Sequence, residues 1–127
     1  MTEKVIVITT ENKISIRDIE VNDGSMLQGL WDAVGGFIEI VRPVGLEYPL
    51  VLLCDEEGLL KGKEINIVGS VLYGMHEHGN PIVGDIVVLQ EGFRDGEPDI
   101  IGIPEDACRD VYNALKNNFA FLEGDDQ

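Results

Sequence analysis

The segment Gly92-Phe93-Arg94-Asp95-Gly96-Glu97 brings an aromatic ring, a guanidinium and flexible glycine backbone together. A ring can stack on a nucleobase, and a guanidinium can pair with a phosphate through parallel hydrogen bonds. Phe93 and Arg94 are therefore the candidate site for a small anionic, nucleotide-like ligand, with Lys61, Lys63 and Arg109 as the other cations expected to gather there. The plainer reading is a hairpin loop whose arginine pairs with Asp95 or Glu97. Asp55-Glu56-Glu57 sets carboxylates side by side at the end of an apolar run, as general acid–base work or magnesium binding would need. Nothing in sequence supplies the histidine, nucleophile or pocket that such work requires, so these residues read as a hydrated turn closed by Gly58. His76-Glu77-His78 has metal-like spacing, since two histidines two apart on a strand share a face. Its neighbours Gly74, Gly79 and Pro81 favour a solvated turn, and no metal site is assigned.

Other catalytic patterns do not form. Gly35-Gly36 and Gly58 lack the spacing of a phosphate-binding loop, and no lysine-serine or lysine-threonine pair follows them. Ser25 and Ser70 lack the flanks of a nucleophile elbow. The chain is expected to be non-enzymatic, with no cofactor.

The elements that position these residues follow from periodicity. Residues 4–9 are β-branched almost without interruption and read as a buried strand. Ile14, Ile16 and Ile19 suggest a second strand in a hairpin with one wet face. Asp23 or Ser25 can cap an amphipathic helix through Met26, Leu27, Leu30, Trp31 and Val34, which Gly35-Gly36 ends. Trp31 reads as core, with a dimer interface as the alternative were that face exposed. Strands are expected over 37–41, 50–54 and 82–89, the last with a bulge or close approach at Gly84. Residues 66–73 suit a short helix packed by Ile67, Val71 and Leu72, or an irregular segment; 78–81 suit a turn, 93–98 a loop and 100–103 a short strand. Pro104 suits the first position of a C-terminal helix, with Glu105 and Asp106 in its first turn. Phe119 and Phe121 are expected to fold back on the core. This order predicts a single compact α+β domain over residues 1–122, a mainly antiparallel sheet with an N-terminal amphipathic helix and a C-terminal helix, then an acidic flexible tail over 123–127.

Bulk properties narrow the partners. The 127 residues suit one domain. Nine basic residues face twenty-four acidic ones, for a net charge of -15. A broad basic patch for direct nucleic-acid or membrane binding is excluded by that balance. The acids are spread along the chain, which suits solubility, while a negative face for a basic partner is the sharper reading. Cys54 and Cys108 read as small buried hydrophobes. No signal-peptide pattern opens the chain and no apolar run has membrane-spanning length, so a cytoplasmic protein is expected.

The segments Val34-Gly35-Gly36-Phe37-Ile38-Glu39 and Cys54-Asp55-Glu56-Glu57-Gly58-Leu59-Leu60-Lys61-Gly62, with the later Val83-Gly84-Asp85-Ile86-Val87-Val88, resemble a family of small uncharacterised domains encoded by phages, prophages and plasmids. The closing helix at Pro104 is similar in placement. The loop around Tyr48-Pro49 and the His76-Glu77-His78 segment depart from the pattern. The resemblance implies an N-terminal strand pair, an amphipathic helix and a glycine-turned strand pair, and it carries no catalytic residue. By genomic company it implies an accessory protein that neutralises a host factor in anti-defence, by sequestering a signalling nucleotide or binding a host protein. The alternative is an acidic mimic of DNA charge that blocks a nucleic-acid-binding host protein. A homodimer is compatible with a chain this small.

Overall fold

The β-branched run Val5-Ile6-Val7-Ile8 lies inside a six-stranded sheet with all four side chains buried. It belongs to β1 (Thr2–Ile8), which pairs antiparallel with β2 (Ile14–Glu20) on one side and with the start of β5 (Ile86–Arg94) on the other. The computed structural model that shows this describes residues 1–123. The acidic tail expected beyond them, and the side chains of His76 and His78, lie outside the described residues.

β3 (Ile38–Val41) and β4 (Leu50–Asp55) complete the order β2-β1-β5-β4-β3. β6 (Glu97–Ile101) pairs with the second half of β5, beyond the point where β1 leaves it. Every pairing is antiparallel. The architecture is thus an α+β domain with a mainly antiparallel sheet. The central strands are apolar without alternation because both sheet faces are covered. α1 (Leu27–Val34) packs on the face of Ile19, where a Cβ at Gly29 would come within 2.5 Å of the isoleucine. α4 (Glu105–Asn118) packs on β1 and β2, and its Cys108 feels the charges of Lys4 and Asp18. Successive strand residues point to opposite faces, so α1 and α4 sandwich the sheet.

α1 ends as expected: Gly35 is left-handed at φ 80°, and its N–H donates to the Trp31 carbonyl at 2.8 Å. At its start, Met26 is the cap residue, and Ser25 Oγ accepts from the Leu27 N–H at 3.1 Å. α2 (Ile67–Tyr73) is capped by the fully buried Asn66, whose Oδ1 accepts from the Gly69 N–H at 2.8 Å. The same side chain donates to the carbonyls of Ile8 and Gly84, at 3.0 and 2.9 Å.

Five sequence expectations need correction. The strand expected over 82–89 begins only at Ile86, because Gly84 turns the chain at φ 79°. The loop expected over 93–98 is a tight hairpin: β5 reaches Arg94, β6 starts at Glu97, and Asp95-Gly96 turn between them at φ 53° and 82°. Both positive φ values match the twist of paired strands, as type I′ turns do. Residues 75–78 form a helical turn, α3 (Met75–His78), in place of a strand or plain turn. Phe119 is buried as expected, but Phe121, in the short α5 (Ala120–Glu123), is 73% exposed. Pro104 sits one position earlier than expected, at the cap of α4. Among the described residues, no helix is long and apolar enough to cross a membrane.

Candidate functional site

β4 runs through four buried apolar residues into Asp55, whose side chain is only 1% exposed. A carboxylate placed there must be answered by nearby charge or hydrogen bonds. The turn after it supplies both. The Glu57 N–H donates to Asp55 Oδ1 at 2.9 Å, and the ammonium groups of Lys61 and Lys63 both reach Oδ2 at 2.7 Å. Burial pushes the Asp55 carboxyl up, but the two lysines and the Glu57 N–H outweigh it and hold the group at about 2.

The lysines also close the end of α1. Lys63 Nζ donates to the Val34 carbonyl at 2.8 Å and Lys61 Nζ to the Gly35 carbonyl at 3.3 Å. These carbonyls lie at the negative pole of the helix, where cations are favoured. Gly36 makes the approach fit: a Cβ there would lie 2.7 Å from both Asp55 Oδ2 and Lys61 Nζ. One three-charge cluster thus joins α1, the 56–63 turn and the end of β4.

Two clefts flank it. One, of about 450 Å³, has Trp31, Asp32, Phe37, Glu57 and Lys61 around a floor of Gly35 and Gly36. The other, of about 460 Å³, lies on the Lys63 side against Asp32, Glu64 and Asp85. Trp31 meets Phe37 edge to face, with centroids 5.5 Å apart, and Phe37 is 60% exposed. Trp31 is accordingly half-buried and not the plain core residue that its helical spacing suggests.

The five expected ligand residues do not form one site. Lys61 and Lys63 do meet, but around Asp55. Arg94 lies at the far end of β5, about 25 Å along the strand from the end beside Asp55. There its guanidinium makes a two-pronged pair with Glu3, at 2.8 and 2.9 Å, and reaches Asp99 at 3.2 Å. Only 13% of the Arg94 side chain is exposed. Arg94 holds the Glu3 carboxyl below its usual range, against the upward pull of partial burial, and Glu3 in turn raises Arg94. The intramolecular alternative was right in kind, with Glu3 and Asp99 as partners in place of Asp95 or Glu97. Phe93 is 71% exposed on β5 opposite Pro98, and Arg109 is exposed on α4.

Sequence reasoning took Asp55 for a hydrated turn acid and Gly36 for a cap. The available signal was an acid directly continuing a strand that is apolar throughout, with two lysines six and eight residues later. The cysteines match expectation: both are buried, and burial raises both thiols, Cys54 to about 11. Among the described residues, no three His, Cys, Asp or Glu side chains cluster closely enough to hold a metal ion.

A six-stranded antiparallel α+β domain, braced by a buried aspartate held between two lysines beside an aromatic cleft, is the class of protein that fold and site define. The chain belongs to the DUF3846 family, a domain of unknown function whose model matches residues 1–116. No curated protein and no solved structure matches it.

Proposed function

We propose that this protein is a non-enzymatic accessory protein of a phage or other mobile element, and that it neutralises a nucleic-acid-binding host protein through its acidic surface. The observation that carries the reading is where the cations go. At least five of the nine basic residues, Lys4, Arg42, Lys61, Lys63 and Arg94, pair with carboxylates of the same chain, Lys4, Arg42 and Lys61 at its surface. The excess of negative charge therefore faces solvent with few cations to interrupt it, which suits a partner built to hold phosphates.

The test is capture on the immobilised protein from an extract of the host. Nucleic-acid-binding proteins should be retained at low salt, released steeply as salt rises, and displaced by duplex DNA. Capture that neither salt nor DNA affects would overturn the reading. The second reading is capture of a small nucleotide-like ligand, whose base would stack on the Trp31 and Phe37 rings of the cleft. Native mass spectrometry of gently purified protein should then show an added mass of a few hundred daltons.

A further inference from the structure

The Trp31–Phe37 cleft has a chemistry of its own. A tryptophan and an exposed phenylalanine share one recess that Asp32 and Glu57 also line, and Asp32 Oδ1 accepts from Gln28 Nε2 at 3.1 Å. Lys61, paired with Asp55 at 2.7 Å, brings one ammonium to the lining against the two carboxylates of Asp32 and Glu57, so the lining keeps a formal charge of -1. Gly36 keeps that paired lysine low in the floor, since any side chain there would collide with it. An aromatic recess with a net negative lining attracts a cation and disfavours an anion.

We propose that this cleft is the anchor site for one basic side chain, an arginine guanidinium or a lysine ammonium, of a protein partner. The proposal rests on the acidic-surface reading above and adds the place where the partner is gripped. The ring edges and faces hold the flat cation, Asp32 and Glu57 answer its charge, and the surrounding acids only steer it in.

Trp31 is the sole tryptophan, so its emission reports this cleft directly. The experiment titrates the full chain with tetra-arginine amide at low salt, with ATP and tetra-glutamate as comparison probes. Tetra-arginine should give a saturable change in Trp31 emission, and ATP and tetra-glutamate none at the same concentrations. Phe37→Ala should weaken the response by about three- to fivefold. Phe37→Leu, which keeps apolar bulk without the ring, should weaken it equally, with thermal melts confirming that both variants fold. Asp32→Asn with Glu57→Gln should weaken it further, while Glu105→Gln with Asp106→Asn, on α4 across the sheet, should not.

No saturable response, a response indifferent to Phe37→Ala, or a preference for ATP would each overturn the anchor. Host-protein capture that is salt-sensitive and displaced by DNA, yet equal in wild type and Phe37→Ala, would also overturn it while leaving the acidic-surface reading intact. Absence of such capture in the wild type would count against that reading alone, because the peptide titration is independent of it.

Discussion

Asp55 ties part of the stability to its own ionisation. Its folded pKa of about 2 lies below the ordinary 3.8, so the contribution is complete above about pH 4 and disappears as pH falls through 2. At about 1.4 kcal/mol per unit of depression, the effect is on the order of 2 kcal/mol. Asp55→Asn removes the charge and leaves two ammonium groups facing each other at the end of α1. Lys61 is 40% exposed, which softens that repulsion, and we expect a loss of about 2–3 kcal/mol at pH 7. Urea unfolding of both proteins at pH 7 and pH 3 checks the origin: the difference between them should shrink at pH 3. An unchanged difference would show that packing, and not charge, is lost. Gly36→Ala attacks the same cluster sterically. The Cβ must displace Asp55 or Lys61, at an expected cost of about 1–3 kcal/mol in the same assay. A melting temperature equal to wild type would rule out the tight approach. Neither role was readable from residue type, because a glycine after a helix is already explained by its cap and an acid before a glycine by its turn.

At the scale of elements, Asn66 does more than cap α2. One amide side chain spans the end of β1, the turn at Gly84 and the first turn of the helix. Removing it strands two buried carbonyls and one N–H, so Asn66→Ala should cost about 2–4 kcal/mol. Asn66→Asp is expected to be at least as damaging at neutral pH, since a carboxylate would confront those two carbonyls, and to recover partly in acid. Chemical denaturation of the two variants at pH 7 and pH 4 reads this directly. The helix is suggested by Ile67, Val71 and Leu72, but the face it buries is that of Val68 and Leu72, with Ile67 and Val71 exposed. The helix also explains why Ile82-Val83 is not part of β5: the chain there must bend so that Asn66 can reach Gly84. Apolar periodicity is blind to such a demand, whereas the β1, β4 and central β5 runs were plain because each is buried on both faces. The Asp95-Gly96 dipeptide marks the turn and agrees with the hairpin-loop reading, while glycine and acid on either side mask how far the strands reach.

For the whole molecule, the charge of -15 opposes compaction. Screening should therefore stabilise the fold: between 20 and 500 mM sodium chloride at pH 7 we expect the melting temperature to rise by several degrees. A fall would mean that the internal pairs outweigh the general repulsion. Composition foretold the acidic character, but not which cations would be absorbed internally. Glu3 and Arg94 are 91 residues apart, and only the fold brings them together.

The forked pairing of β5 bears on how the chain is made. β1 finds β2 within a few residues, but its other neighbour is β5, and the Lys4 carbonyl waits for the N–H of Ile103. β3 and β4 likewise pair early and then face an empty place where β5 belongs. Neither β1 nor β4 can gain its second neighbour before residues 86–103 have been made, so the sheet closes only when β5 arrives. Commitment to the fold comes late, and the nascent chain, more than the finished protein, is the species exposed to mispairing with its neighbours.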